Sequence, residues 1–139
     1  MLTWAYLISL VVGIAINKII KLILAIAHKE KITMAVLVRS GDMPSDHSAA
    51  VSSVVTTIGL LNGLKSPVFG LGLCLALIVM YDAMNVRLST GEQGLALNQL
   101  LKRHRKKLLD VPQGHEPLEV VMGAVVGLVA SFMTFWFFF

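Results

Sequence analysis

Long apolar segments occupy most of this chain and leave it few ways to fold. They run from Leu2 to about Ala27, from about Ser48 to Leu64, from Pro67 to about Val86 and from Leu118 to Phe139. A helix needs roughly 20 apolar residues to cross a bilayer. Because lipid offers the backbone no hydrogen-bond partners, such segments span a membrane as helices. The sequence therefore predicts an all-α integral membrane bundle of about four transmembrane helices.

The composition of the chain supports a membrane protein. Of its 139 residues, 56% are hydrophobic and 14% are charged, whereas a soluble domain carries about 25% charged residues. This many apolar side chains cannot all be buried in one small protein core. Membrane lipids must therefore form part of the solvent around them. We interpret residues 1–139 as one domain, and we attribute the net charge of +4 to topology and lipid headgroups rather than to nucleic-acid binding. The single cysteine, Cys74, excludes a metal site built from several cysteines.

A further helix is predicted between the third and fourth spans, from Glu92 to Leu109. In this segment leucines alternate loosely with polar and basic residues, and its basic end suits the headgroup zone of a bilayer. Pro112 and Gly114 follow it, and both residue types end helices. The sequence therefore predicts an amphipathic interfacial helix beside the transmembrane bundle.

The basic residues lie mostly on one side of the predicted bundle. The loops after the first and third spans contain nine of the twelve: Lys29, Lys31, Arg39, Arg87, Lys102, Arg103, Arg105, Lys106 and Lys107. The opposite side, formed by both termini and the turn at 62–66, has Lys65 alone. Because basic loops stay in the cytoplasm, we predict a multi-pass protein of the cell membrane with both termini outside.

Two polar turns on the predicted cytoplasmic side each place a histidine directly before an apolar segment. In the first turn, Ser45 or Asp46 can cap the following helix, and the N–H groups at a helix start favour anions. His47 lies in this first helical turn and could donate a proton to a leaving oxygen. The alternative interpretation is an ordinary capped helix with a histidine at the surface.

The second turn, Gly114 to Val120, has a similar design. A helix is predicted from near Pro117, since proline is favoured in a first turn. His115 and Glu119 are four residues apart, so one helical face can join their side chains. A carboxylate on one ring nitrogen leaves the other nitrogen nucleophilic. The alternative is an interfacial ion pair, but two such turns on one side favour a polar pocket faced by both histidines.

Further charged residues are predicted at the same depth in the membrane. Asp82 and Arg87 lie near the cytoplasmic end of the third span, and charges within spans tend to face internal cavities. Arg87, Arg39 and Lys31 could together clamp a phosphate group. The alternative for Asp82 and Arg87 is a structural pair that links parts of the bundle.

The motifs in these turns resemble those of the type 2 phosphatidic acid phosphatase and vanadium haloperoxidase superfamily. Residues 44–48, Pro-Ser-Asp-His-Ser, resemble its Pro-Ser-Gly-His motif, and residues 115–123 resemble its final motif, a histidine followed by an acidic residue and glycine. With residues 81–87 and 91–93, the chain resembles a small, divergent branch of that superfamily over about residues 5–135. The resemblance implies a phosphohydrolase that uses a phosphohistidine and neither a metal ion nor another cofactor.

The resemblance also implies roles for the residues of the two turns. His115 matches the nucleophile, Glu119 the acid that orients it, and His47 the general acid that protonates the leaving oxygen. Backbone N–H groups from Ser45 to His47 would hold phosphate oxygens. Asp46 stands where the superfamily has glycine, and its charge repels phosphate unless it faces away or pairs with a basic residue.

The resemblance implies phosphate ligands from outside these turns as well. Arg39 and Lys31 correspond to ligands from an upstream motif, although their spacing differs by one residue. Leu109 stands where the superfamily has a further arginine, so Arg87 is the candidate replacement.

Three functions are compatible with these features. The first is a lipid phosphatase that hydrolyses a lipid-linked phosphomonoester or pyrophosphate whose chain lies in the bilayer. The second is a non-catalytic membrane protein that binds phosphate or phospholipid headgroups. The third, a transporter with Asp82, Asn17 and Lys21 along a polar path, is disfavoured because no internal repeat is visible. Gly123 and Gly127 form a small-xxx-small pattern that serves either a homodimer or packing within the monomer.

Overall fold

The chain folds as a bundle of α-helices. The computed structural model describes residues 2–29, 43–104, 106–109, 111 and 114–138, and no strand occurs among them. The helices are α1 (Leu2–Ala27), α2 (Asp46–Asn62), α3 (Pro67–Met84), α4 (Val86–Arg103) and α5 (Pro117–Phe138). The prediction of an all-α membrane bundle is confirmed.

The ends of α2 and α3 follow from local sequence. The Ser45 hydroxyl caps α2 by accepting a hydrogen bond from the N–H of Ser48 at 3.4 Å. The Ser66 hydroxyl caps α3 in the same way, with the N–H of Phe69 at 3.1 Å. Gly63 ends α2 with φ of 82°, a left-handed conformation that glycine adopts readily. A short capped turn therefore joins these two helices.

α2 lies at the centre of the bundle, where it packs against α1, α3 and α5. α5 approaches it closely because glycines face its backbone. A Cβ atom at Gly123 would overlap the carbonyl oxygen of Ser45, and one at Gly127 would overlap that of Ala49. The small-xxx-small pattern thus serves packing within the monomer.

Hydroxyl groups connect α1, α2 and α5 in the middle of the bundle. Ser9 and Ser131 lie with their hydroxyl oxygens 3.0 Å apart, and Thr57 donates to the Ser9 hydroxyl at 2.7 Å. Ser9 and Ser131 both donate to the carbonyl oxygen of Ser53. These side chains are buried, so their mutual hydrogen bonds satisfy groups that neither water nor lipid would satisfy.

α2 differs from the other helices in length and polarity. Three helical stretches of the described chain are long and apolar enough to cross a membrane: Trp4–Ala27, Pro67–Arg103 and Pro117–Phe138. α2, which corresponds to the second predicted span, has 17 residues. It is less apolar because several of its serines and threonines are buried against neighbouring helices, where small hydroxyl side chains pack better than leucine.

The amphipathic helix begins and ends earlier than the prediction of Glu92–Leu109. Only Asn85 separates α3 from α4, which ends at Arg103. Asn98 explains the early end, because its side-chain amide donates to the carbonyl oxygen of Leu109 at 2.9 Å and accepts from the N–H of Leu109 at 2.8 Å. These two bonds hold the non-helical residues 106–109 back along α4.

The close approach of α5 to α2 gives a test of this packing. Gly127→Ala should lower the free energy of unfolding by about 1–3 kcal/mol, because the helices must separate to admit the methyl group. Gly70→Ala in α3 is the matched control, since outside its own helix backbone no atom of the described residues lies within 4 Å of its Cβ position. Unfolding by a denaturing detergent, followed by circular dichroism, measures both variants. Equal midpoints for the two variants would contradict this packing.

Candidate functional site

His115 lies in the turn before α5 and is almost completely buried, with 1% of its surface exposed. Its backbone N–H donates to the carbonyl oxygen of Ala83, near the end of α3, at 3.0 Å. The preceding residue must be small, because a Cβ at Gly114 would overlap the backbone of Leu88 and Arg87 at the start of α4. α3 and α4 therefore fix the position of the imidazole.

The Glu119 carboxylate sets the orientation of the His115 ring. Its Oε2 atom lies 2.9 Å from His115 Nδ1 and also accepts a hydrogen bond from the N–H of Glu116 at 3.1 Å. When Nδ1 carries the proton, it donates to Glu119 and leaves the lone pair of Nε2 available. The structure thus joins His115 and Glu119 in the arrangement that a nucleophilic imidazole requires.

A backbone hydrogen bond joins the two histidine-bearing turns. The N–H of Ser45 donates to the carbonyl oxygen of Glu119 at 3.0 Å. His47, in the first turn of α2, thereby lies near His115, with ring centroids 6.4 Å apart and ring planes at 65°. Because the N–H of Ser45 is used in this way, the N–H groups of Asp46 and His47 are the remaining donors for an oxyanion at this end of α2.

The surroundings of His47 disfavour its protonated form. Burial lowers the pKa of the His47 imidazole, and the charges of Arg87, His115 and Lys21 lower it further, against the opposing effect of Asp46. The pKa therefore lies below the ordinary histidine value. A bound phosphate would favour protonation, because a negative charge nearby stabilises the imidazolium.

Asp46 pairs with basic residues of α1. Its carboxylate accepts hydrogen bonds from Lys18 Nζ at 2.7 Å, Lys21 Nζ at 3.2 Å and Asn17 Nδ2 at 2.6 Å. Burial raises the pKa of Asp46, but the hydrogen bonds from Lys18 and Asn17 and the charges of Lys21 and Lys18 outweigh burial and hold the pKa below its ordinary value. Asp46 is therefore paired with basic residues, and this is the condition under which its charge does not repel an anion bound nearby.

Asn17, Lys18 and Lys21 of α1 were not among the residues predicted for this site. Their signal was present: Asn17 and Lys21 are four residues apart on one face of an otherwise apolar helix, and polar residues within a span need a partner. The partner is an acidic residue in another helix, which spacing along α1 does not identify.

Arg87 lies at the start of α4, where its backbone faces Gly114 of the second turn, and its side chain is already paired. Its Nε donates to Asp82 Oδ2 at 2.6 Å, and both side chains are partly exposed. The structural pair considered from the sequence is therefore present, while the charge of Arg87 still acts on His47. The predicted phosphate ligands Arg39 and Lys31 lie outside the described residues.

Several buried polar atoms at this end of the bundle have no hydrogen-bond partner among the described residues: Asn17 Oδ1, His47 Nδ1 and Ser48 Oγ. Buried polar atoms are usually satisfied, so these atoms are suited to a bound molecule or to water. Within the same described part of the chain, no group of three or more His, Cys, Asp or Glu side chains could hold a metal ion.

Comparison with known proteins shows the family of this chain. The chain is similar to the "Uncharacterized membrane protein YuiD" of Bacillus subtilis (strain 168), with 31% identity over 150 residues, 95% of this chain and 94% of that protein. No solved structure matches the chain. Residues 2–130 match the Divergent PAP2 family. The chain is therefore a multi-pass membrane protein that belongs to the Divergent PAP2 family.

Proposed function

We propose that this protein is a membrane-embedded lipid phosphatase that hydrolyses a lipid-linked phosphomonoester or pyrophosphate through a phosphohistidine. One observation carries the proposal: His115 Nδ1 lies 2.9 Å from Glu119 Oε2 while the His47 ring centroid lies 6.4 Å from that of His115. This geometry supplies an oriented nucleophile and a proton donor within reach of one phosphate group.

The first step transfers the phosphoryl group to His115. The Nε2 lone pair attacks phosphorus and forms a P–N bond while the bond from phosphorus to the leaving oxygen breaks. Glu119 stabilises the positive charge that develops on the imidazole. Protonated His47 gives its proton to the leaving oxygen, which departs as the lipid alcohol or as a lipid monophosphate. The N–H groups of Asp46 and His47 and the charge of Arg87 stabilise the phosphoryl oxygens.

The second step restores the enzyme with one water molecule. His47, now neutral, accepts a proton from water as the water oxygen attacks phosphorus. The P–N bond breaks, inorganic phosphate leaves, and the electron pair of that bond returns to Nε2 of His115. His47 is protonated again and ready for the next leaving group. Neither step uses a metal ion, as the resemblance to the superfamily implies.

An apolar groove beside the site supports a lipid substrate. It has a volume of about 520 Å³ and is lined by Ser52, Leu77, Met80, Tyr81, Met84, Val120, Val121, Ala124, Val125 and Leu128. Met84 follows Ala83, which binds the backbone of His115, and Val120 follows Glu119. From Val120 to Leu128 the groove follows α5 for about 12 Å. A hydrocarbon chain could lie in it while the phosphate to which it is bonded reaches His115.

A second candidate function is binding of phosphate or phospholipid headgroups without hydrolysis. The pairing of Arg87 with Asp82 is the reason to consider it, because a guanidinium engaged with a carboxylate has less charge to stabilise a transition state, while the N–H groups at the start of α2 can still bind an anion. The experiments below separate binding from turnover.

The catalytic prediction concerns phosphate release. Purified wild-type protein should release inorganic phosphate from members of a panel of lipid monophosphates and pyrophosphates, and His115→Ala should abolish the release. His47→Ala should slow it by about 10²–10⁴-fold, most for poor leaving groups. Glu119→Gln should keep the fold and lower the rate on the order of 10²-fold or more, because the histidine loses its orienting charge.

The control for the catalytic prediction is His104→Ala, a substitution of the exposed histidine that follows α4. Its rate should equal that of wild type. Equal release by wild type and His115→Ala would refute the phosphatase proposal. Binding of lipid phosphates without any release, weakened in His115→Ala, would establish the headgroup-binding function instead.

The groove prediction concerns chain length. Ala124→Phe should raise KM for long-chain lipid phosphates by about tenfold and leave short-chain analogues nearly unaffected, because the ring fills the space that the chain occupies. Leu71→Phe, in a separate groove of about 300 Å³ between α1, α2 and α3, is the matched control. Equal effects on long and short chains would place the hydrocarbon elsewhere.

The orientation prediction follows from the basic loops. We propose that the protein lies in the cell membrane with the site facing the cytoplasm, since basic loops are retained on that side. In a Cys74→Ala background, which removes the exposed native cysteine, Lys65→Cys should react with an impermeant maleimide in intact cells. Lys106→Cys should react only after the cells are opened. The reverse pattern would place the site outside.

A further inference from the structure

A polar cluster ties α1 to the first turn of α2. Asp46 lies at its centre, with Asn17 bonded to Oδ1 and with Lys18 and Lys21 bonded to Oδ2. Asn17 is fully buried and Lys21 is 5% exposed, whereas the Lys18 and Asp46 side chains are partly exposed, so the cluster is closed at Asn17 and Lys21 and open to solvent at Lys18. Polar and charged groups in such a place are costly unless they are paired, and the charged groups of the cluster and the Asn17 amide nitrogen all have partners in it.

The same cluster holds the backbone that leads into α2. Asn17 Nδ2 also donates to the carbonyl oxygen of Pro44 at 3.0 Å. α1 therefore holds the chain on both sides of Ser45, through Pro44 before it and Asp46 after it. His47 follows directly, and the bond from Ser45 to Glu119 fixes the same turn from α5. The His47 backbone is thus held between two helices.

Stability alone is a weak reason for this arrangement. Replacing a buried ion pair with apolar residues of similar volume is often neutral or stabilising. Glycine at position 46, as in the superfamily motif, with apolar residues at positions 17 and 21, would remove the cost of burying these charges. Their location next to His47 gives the cluster a role that apolar packing would not provide.

We propose that Asn17, Lys21 and Asp46 are positioning residues for His47: they fix its imidazole beside His115 and place one negative and one positive charge beside it. The inference rests on the proposed function, in which His47 handles the proton. Two separate features of the sequence, the aspartate in place of glycine and the polar residues of α1, thus belong to one cluster.

The charges around His47 come from several elements. Lys21 faces it from α1, Asp46 from α2, Arg87 from α4 and His115 from the turn before α5. The Asp82 carboxylate of α3 is bonded to Arg87. Asp46 raises the pKa of His47, whereas Lys21 lowers it. Removal of the Asp46 charge should therefore lower the pKa of His47, and removal of the Lys21 charge should raise it.

The experiment measures the pH dependence of phosphate release for Asp46→Asn and Lys21→Met. Activity that needs protonated His47 is present below its pKa and lost above it. This loss should move to lower pH in Asp46→Asn and to higher pH in Lys21→Met, by about half to one pH unit. Both variants should lose kcat by about tenfold or more with little change in KM, and Asp46→Glu should recover part of the loss. Lys65→Met, far from the site, should match wild type.

A readout without turnover separates this inference from the proposed function. In protein with labelled histidines, the four imidazoles are titrated by NMR, and His47 is assigned from its loss in His47→Ala. If the His47 midpoint shifts in opposite directions in Asp46→Asn and Lys21→Met but wild type releases no phosphate, the positioning role of the cluster is supported and the phosphatase proposal is refuted. Release with unshifted midpoints, or with both midpoints moved the same way, would overturn the inference. If Asp46→Asn does not fold, the direction of the shift in Lys21→Met decides.

Discussion

The close contact between α2 and α5 is the interaction on which the candidate site depends. Gly123 and Gly127 leave the backbone of α2 room to lie directly against α5. Only at this separation can the N–H of Ser45 reach the carbonyl oxygen of Glu119. That bond aligns the two turns, so His47 and His115 lie side by side although 68 positions separate them in the chain. A bulkier residue at either glycine would push α2 away from α5. It would thereby separate the two imidazoles without contacting either of them.

The site also shows how a short membrane protein can hold several charges together. Asp46 is shared by Lys18 and Lys21, Glu119 is bonded to His115, and Asp82 is bonded to Arg87. Each of these three acidic groups thus has a basic partner, and all three pairs lie at the end of the bundle where the two histidine-bearing turns meet. Such pairing lowers the cost of burying the less exposed of these charges, those of Lys21 and Glu119. In the proposed phosphatase, this pairing would keep the donors oriented before a substrate arrives, which is the basis of electrostatic preorganisation.

Much of this arrangement could be predicted from the sequence, because it depends on neighbours along the chain. Ser45 before an apolar run predicts the start of α2, Pro117 predicts the start of α5, and the spacing of His115 and Glu119 predicts their contact. The cluster on α1 could not be predicted, since periodicity shows which face is polar but not which distant side chain meets it. The end of α4 was misplaced for a similar reason: the side chain of Asn98 binds the backbone of Leu109, and hydropathy carries no sign of that bond.

The hydroxyl groups in the middle of the bundle have a consequence for the depth of the site. Ser9 of α1 and Ser131 of α5 donate to a single carbonyl oxygen, that of Ser53 in α2. If α2 slid along its axis or turned about it, both donors would lose their acceptor at once, in a region without water to replace it. These hydrogen bonds at the centre of α2 therefore fix its position along the bundle axis. Since His47 lies about 9 Å along the helix from Ser53, the bonds that hold α2 at its centre also set the position of the His47 imidazole along the bundle.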